Sequence, residues 1–211
     1  MSILNPMDNF PSLQESELSL DPISQFMAWF DAAKSRSDIR NPDAACLSTV
    51  SESGLPEGRM LLIKYIEDRR FIFFTNLGSP KVKSIRSRSD GALTFYWAPL
   101  GRQVRVSGKL SQVSRDFAST YFDSRPLDSK VGASVSKQSQ PLNSRGELLA
   151  AVKAFKSAQN ISDLKRPVFW SGFELEPTQF EFWQEGEYRL HDRFLYTKLE
   201  TDSWQIQRLY P

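Results

Sequence analysis

The chain has 211 residues, 40% of them hydrophobic and 25% charged, with a formal net charge of +2 at neutral pH. This composition describes a globular protein long enough to bury a real core, and it argues against disorder. So small a charge does not point to nucleic acid, and no apolar run reaches the length of a membrane span.

A single cysteine, Cys46, leaves no intramolecular disulfide and fits a reducing compartment. One cysteine and one histidine also remove most zinc-site designs, so no metal is expected. The opening run from Met1 to Asp8 lacks the basic start and apolar stretch of a signal peptide, so a cytoplasmic location is expected. Fifteen Phe and five Trp help bring aromatic content to 12%. Aromatic residues favour strands, so a well-filled β core accounts for them. A flat, ring-binding cleft is the sharper alternative.

Residues 1–20 are polar and carry Pro6 and Pro11, which predicts a flexible arm ahead of a single domain over 21–211. Asp21 before Pro22 sets an N-cap and a first helical position. Ile23, Phe26, Met27, Phe30 and Ala33 then recur at helical spacing to about Ser35. Asn41-Pro42 breaks the chain. Strand patterns over 45–51, 59–66 and 71–75, with turns at 52–56 and 67–68, predict an antiparallel meander. Residues 79–89 are basic and modestly helical, and 91–97 form an aromatic strand. Over 103–113 the pattern alternates, with Val104, Val106 and Leu110 on one face and Arg105, Ser107 and Lys109 on the other. Helices are predicted over 114–123, 127–136 and 144–158, the last with Leu148, Val152 and Phe155 on one face. Pro167 ends that region, and strands return at 168–175, 178–184, 189–197 and 203–209. The sum is a mainly β protein with peripheral helices, and its many short antiparallel strands suggest a barrel.

There is no G-x-G-x-x-G, no P-loop and no G-x-S-x-G elbow, so any phosphate must be held by side chains. Arg59 and Lys64 lie five apart on one predicted strand and face opposite sides, so they could serve two sites. Thr75 ends the next strand, and Ser79 and Lys81 follow it. Tyr121, Arg125 and Ser129 recur at four-residue spacing and would share a face on a continuous helix, although Pro126 interrupts it. Their hydroxyl and guanidinium donors suit a phosphate monoester. Gln103, Gln138 and Ser139 add amide and hydroxyl groups. Each alone is more often a surface or capping residue; together they point to anion binding. The densest chemistry is the run from Phe180 to Arg193. Read as a strand, it places Arg189, His191 and Arg193 on one face. Two fixed charges beside one imidazole ask for an anion or an electron-rich ring, with a solvated strand as the plain alternative.

These stretches resemble the pyridoxamine 5′-phosphate oxidase family along nearly the whole chain. The resemblance rests on Asp21-Pro-Ile-Ser-Gln-Phe26, Arg59-Met-Leu-Leu-Ile-Lys64, Phe73-Phe-Thr-Asn76, Arg102-Gln-Val-Arg-Val106, Tyr121-Phe-Asp-Ser-Arg-Pro126, Ser136-Lys-Gln-Ser139, Glu181-Phe-Trp-Gln184 and Arg189-Leu-His-Asp-Arg193. It implies an FMN-binding split β-barrel acting as a homodimer, with the cofactor at the subunit interface. The implied reaction oxidises pyridoxamine or pyridoxine 5′-phosphate to pyridoxal 5′-phosphate, with O2 as acceptor and H2O2 as product. By position, the implied flavin contacts are Arg59, Met60, Leu61, Leu62, Ile63, Lys64, Phe74, Thr75, Lys81, Gln103, Gln138, Ser139, Trp183 and Arg193. The implied substrate contacts are Lys64, Tyr121, Arg125 and Ser129 at the phosphate, with Arg189 and His191 over the reacting ring. The chain departs from the family pattern in three places. No R-x-x-Y stands in the arm, Pro80 replaces a basic residue before Lys81, and Ser134 replaces a tryptophan.

Overall fold

The computed structural model describes residues 10–158 and 163–211. Nine strands form one antiparallel sheet: β1 (Ala44–Val50), β2 (Pro56–Leu62), β3 (Tyr65–Glu67), β4 (Arg70–Asn76), β5 (Asp90–Trp97), β6 (Arg102–Gln112), β7 (Trp170–Gln184), β8 (Asp192–Lys198) and β9 (Trp204–Leu209). The helices are α1 (Pro22–Lys34), α2 (Pro80–Ser87), α3 (Arg115–Ser124), α4 (Leu127–Val135) and α5 (Arg145–Ala158). The architecture is mainly β with peripheral helices, as the pattern predicted.

The strand order is β2-β1-β5-β6-β7-β4-β3, with β8 and β9 branching from β7. The branch arises because β7 has 15 residues. One edge pairs with β6 along nearly its full length. The other edge is shared: its first half pairs with β4 and its second half with β8. The sequence had suggested two strands here, separated near Pro177. The strand runs through instead, because Pro177 falls opposite Gly108 at a register shift, where a missing N–H is tolerated. A side chain on Gly108 would collide with the Glu176 carbonyl oxygen, its Cβ lying 1.9 Å away.

The opposite correction applies to 59–66, expected as one strand. It breaks between Leu62 and Tyr65, and the Lys64 N–H turns to the Ile72 carbonyl. Ile63 is buried in the core while Lys64 leaves it. The strand expected over 189–197 also starts later, at Asp192, after a 3-10 turn over Glu187–Arg189.

Aromatic residues make up nearly half of the buried core. Phe26 of α1 is fully buried and meets Phe71 and Phe95 edge-on, with centroids 5.0 and 4.9 Å apart. Trp29, one turn on, meets Phe182 at 5.3 Å. The helix is placed by Asp21, whose carboxylate accepts from the Ser24 N–H, and by Pro22 at its first position. Of the arm expected over 1–20, residues 1–9 lie outside the described residues. Residues 10–20 lie against the sheet. Leu13 is buried, its N–H donates to Asp192, and Tyr196 donates its hydroxyl to the Ser19 carbonyl.

Candidate active site

Two adjoining cavities open between β2, β4 and the segment from α3 to Ser139. The first, about 490 Å³, is lined by Leu61, Leu62, Lys64, Phe74, Thr75, Asn76, Tyr121, Arg125, Ser129, Ser136, Gln138 and Trp170, among others. The α3 helix carries Tyr121 and ends with Arg125 in extended backbone; α4 then begins and brings Ser129. The break at Pro126 was expected, yet the three residues still reach one cavity because the chain resumes a helix at once. The wall is a second aromatic cluster apart from the core. Tyr121 lies on Phe74 with centroids 3.9 Å apart, and Phe74 stacks on Trp170 at 5.2 Å.

The electrostatics of this cavity are uneven. Arg125 sits over the Trp170 ring, 4.8 Å from its centroid, and its Nη1 is buried. Among the described residues this is the one buried side-chain nitrogen or oxygen without a hydrogen-bond partner. A charged donor in that state is costly and is satisfied by an anionic oxygen. Lys64 donates to Asp43 at 2.9 Å instead. Burial pushes the Tyr121 phenol up, while Lys64 and Arg125 pull it back in part, so it stands as a neutral donor.

The second cavity, about 430 Å³, is lined by Arg59, Met60, Leu61, Phe74, Thr75, Pro80, Lys81, Gln138 and Ser139. It shares Leu61, Phe74, Thr75 and Gln138 with the first. Lys81 donates to Thr75, Ser79 and Gln138 at 3.0–3.1 Å. Burial and the nearby Arg59 together hold its ammonium below the usual lysine range. Arg59 is fixed by Thr49, by the Leu47 and Glu57 carbonyls and by the Glu57 carboxylate. Two held cations beside the first turn of α2 give this cavity a positive lining that could take an anion. Arg59 and Lys64 thus line separate cavities, but not through strand alternation as expected, because the strand ends at Leu62 and Lys64 lies in the break after it.

Gln103, Trp183, Arg189, His191 and Arg193 line neither cavity. They gather where β6 and β8 begin and β7 ends. Gln103 pairs with Trp183, and Trp183 with Arg193, in the strand registers. His191 lies 4.6 Å from Trp183 between ring centroids, and its Nδ1 accepts from the Gly186 N–H. A Cβ on Gly186 would lie 2.3 Å from the Leu190 carbonyl oxygen, so glycine is what lets this loop close. Arg193 donates to Glu181 through Nε and Nη2, at 2.9 and 2.8 Å, and to the Tyr210 carbonyl. The predicted common face of Arg189, His191 and Arg193 does not form. Tyr188 and Arg189 both adopt left-handed backbone, with φ of 55° and 63°, and this turn takes Arg189 out of the strand.

Trp170 and Trp183 mark the two groups on one strand. They stand thirteen positions apart on β7, about 40 Å along the strand. The first group gathers the cations of the two cavities; the second displays an exposed arginine and a histidine beside an indole. Residue-by-residue reading did not find Asp43, Trp170 or Glu181. Asp43 follows the Asn41-Pro42 turn and Trp170 opens a strand, but neither carries a local signal for its partner far along the chain.

The chain is similar to known proteins along nearly its whole length. Residues 32–158 match the family model described as pyridoxamine 5′-phosphate oxidase. Residues 170–211 match the model described as the pyridoxine 5′-phosphate oxidase C-terminal dimerisation region. A pyridoxine/pyridoxamine 5′-phosphate oxidase of Trichormus variabilis is 41% identical over 200 residues, covering 95% of this chain and 93% of that one. One of Brucella ovis is 41% identical over 210 residues, covering 99% and 100%. Among solved structures, PhzG from Burkholderia lata 383, in complex with tetrahydrophenazine-1-carboxylic acid, superposes with a TM-score of 0.88 at 26% identity, covering 97% of this chain and all of that one. A pyridoxamine 5′-phosphate oxidase-related, FMN-binding protein of Nostoc punctiforme shares the fold, with a TM-score of 0.74 at 18% identity over 92% of this chain.

Proposed function

The chain belongs to the pyridoxamine 5′-phosphate oxidase family, and from that premise we propose that it oxidises pyridoxamine 5′-phosphate and pyridoxine 5′-phosphate to pyridoxal 5′-phosphate with FMN as cofactor. The observation that carries this reading is the unpartnered, buried Nη1 of Arg125, in a cavity that also presents Lys64, Tyr121 and Ser129. Those donors suit the three oxygens of a phosphate monoester. The adjoining cavity, with Lys81, Arg59, Gln138 and Ser139, offers a second cationic seat, and its donor set fits the phosphate of FMN. Bound FMN would supply the redox chemistry, accepting a hydride from substrate C4′ at N5 and passing two electrons to O2 to give H2O2.

The protein's part is to bind and orient. Arg125, Lys64, Tyr121 and Ser129 would hold the substrate phosphate, and the Phe74–Tyr121–Trp170 stack would keep water from that end of the cavity. Arg189 and His191 would cover the substrate ring, Arg189 by charge and His191 by polarising the C4′ substituent. With β7 keeping its two ends apart, these two residues reach the cavity from a second copy of the chain. The match to a dimerisation region over 170–211 supports that arrangement as a homodimer. For the amine substrate, water then replaces nitrogen at C4′ and ammonia leaves, which closes the balance. We place the reaction in the cytoplasm, because the single cysteine, Cys46, fits a reducing compartment.

Anaerobic addition of pyridoxamine 5′-phosphate to the yellow protein is expected to bleach the flavin spectrum, and air to restore it. Absence of bleaching overturns the reading. The likeness to PhzG favours one second reading, a flavin oxidase acting on a ring that carries no phosphate. Bleaching by an unphosphorylated ring substrate, unaffected by Arg125→Ala, would select it.

A further inference from the structure

Glu181 lies on β7 between Phe180 and Phe182, whose rings are fully buried, yet its own carboxylate is on the opposite face and also nearly buried, at 8% exposed. A carboxylate is rarely buried unless paired. Here it is held between two guanidinium groups. Oε2 accepts from Arg105 Nη1 at 3.0 Å, and Oε1 accepts from Arg193 Nε and Nη2 at 2.9 and 2.8 Å. The Arg105 side chain is half exposed, whereas that of Arg193 is largely covered.

The consequence falls on Arg193. Its guanidinium has five N–H groups in a rigid plane. Two are taken by Glu181 and one by the Tyr210 carbonyl. One N–H on each terminal nitrogen is left, and their directions are fixed by the three contacts already made. We propose that Glu181 is a positioning residue: it locks the Arg193 guanidinium so that its two remaining donors are presented to the cofactor. This inference rests on the reading that Arg193 meets FMN. The competing account is a structural one, in which the trio merely braces β6, β7 and β8.

The test compares Glu181→Gln, Glu181→Ala, Arg193→Ala and the double variant Glu181→Ala/Arg193→Ala as full-length protein. The FMN dissociation constant is measured by flavin fluorescence and the midpoint potential of bound flavin by spectroelectrochemistry. Losing an ordered, charge-assisted contact is expected to weaken FMN binding about tenfold in Arg193→Ala and in Glu181→Ala. The double variant is expected to be no weaker than Arg193→Ala alone. Glu181→Gln keeps shape and one acceptor oxygen, so it is expected to fold, to bind FMN with intermediate affinity, and to show a lowered midpoint potential as the cation near the ring loses order. If Arg193→Ala weakens binding while Glu181→Gln leaves affinity and potential at the parental values, or if the two losses add in the double variant, the inference is overturned. If Arg193→Ala itself binds FMN normally, the assignment of Arg193 to the cofactor fails, and the inference fails with it.

Discussion

Lys64 and Asp43 form an ion pair 2.9 Å long at the edge of the first cavity, so one of the two cations there is already answered from within the chain. Arg125 is not. Its buried Nη1 has no partner, and the aromatic rings beneath it offer only their faces. The proposed phosphate seat is therefore asymmetric, with one cation held in reserve and one committed.

Arg125→Ala is accordingly expected to raise KM for the phosphorylated substrate about a hundredfold, and Lys64→Ala about tenfold, in line with 1.5–3 kcal/mol for hydrogen bonds to charged groups. Flavin content should be parental in Arg125→Ala. Steady-state kinetics with pyridoxamine 5′-phosphate checks this, and equal effects from the two variants would contradict the asymmetry.

The second cavity should be pH-sensitive in the alkaline range. Burial and Arg59 lower the ammonium pKa of Lys81 below the usual 10.5. The charged form binds phosphate, so FMN affinity should hold at neutral pH and begin to fall before pH 10.5 as that proton is lost. Lys81→Arg, which keeps its charge, should flatten this profile. Titrating FMN onto the protein from pH 7 to 10 is the measurement.

Gly186→Ala should lower kcat and also lower the thermal midpoint, while the protein still takes up FMN. The added Cβ would meet the Leu190 carbonyl oxygen at 2.3 Å and displace the turn that presents Arg189 and His191. A misplacement near 1 Å is expected to cost on the order of a hundredfold in rate. Comparing kcat with flavin content and thermal midpoint separates this from unfolding.

Tyr196 ties the segment before α1 to β8, and burial pushes its phenol up to about 12. The unfolded phenol ionises near 10, so this contribution to stability is complete below pH 10 and lost progressively as pH rises toward 12. Tyr196→Phe should cost about 1 kcal/mol at neutral pH for the hydrogen bond to Ser19. It should also remove this tyrosine's share of the alkaline decline, both read from urea unfolding at pH 8 and above.

Local signals carried much of the fold. Asp21-Pro22 announced α1, and alternation from Val104 to Leu110 announced β6, because capping and two-residue periodicity act over a few residues. What escaped depends on distant partners. Ile63 belongs to the core and Lys64 to the cavity, so the chain bends between them, and no composition change marks that point. Pro177 looked like a strand end until Gly108 across the sheet supplied the register shift that accommodates it. Arg189 looked like a strand residue because left-handed backbone at Tyr188 has no spelling in a run of ordinary side chains. The residue types singled out in the sequence do converge in part, with Lys64, Tyr121, Arg125 and Ser129 lining one cavity, but Asp43 and Glu181, which hold Lys64 and Arg193, carried no signal. Those contacts join residues 21 and 12 positions apart, through register rather than motif.

The length of β7 has a consequence for heredity as well as for geometry. If each centre takes Arg125 from one copy and Arg189 from the other, two proteins that are both nearly inactive at substrate well below the parental KM can repair each other there. Arg125→Ala has a sound second half and Arg189→Ala a sound first half. Refolded or co-expressed in equal amounts, they should assemble at random, with half of the pairs mixed and one of two centres in each mixed pair intact. Activity should return to about a quarter of the parental value, as two-fold symmetry requires. A fifteen-residue strand would then make this a protein whose defective alleles can complement one another.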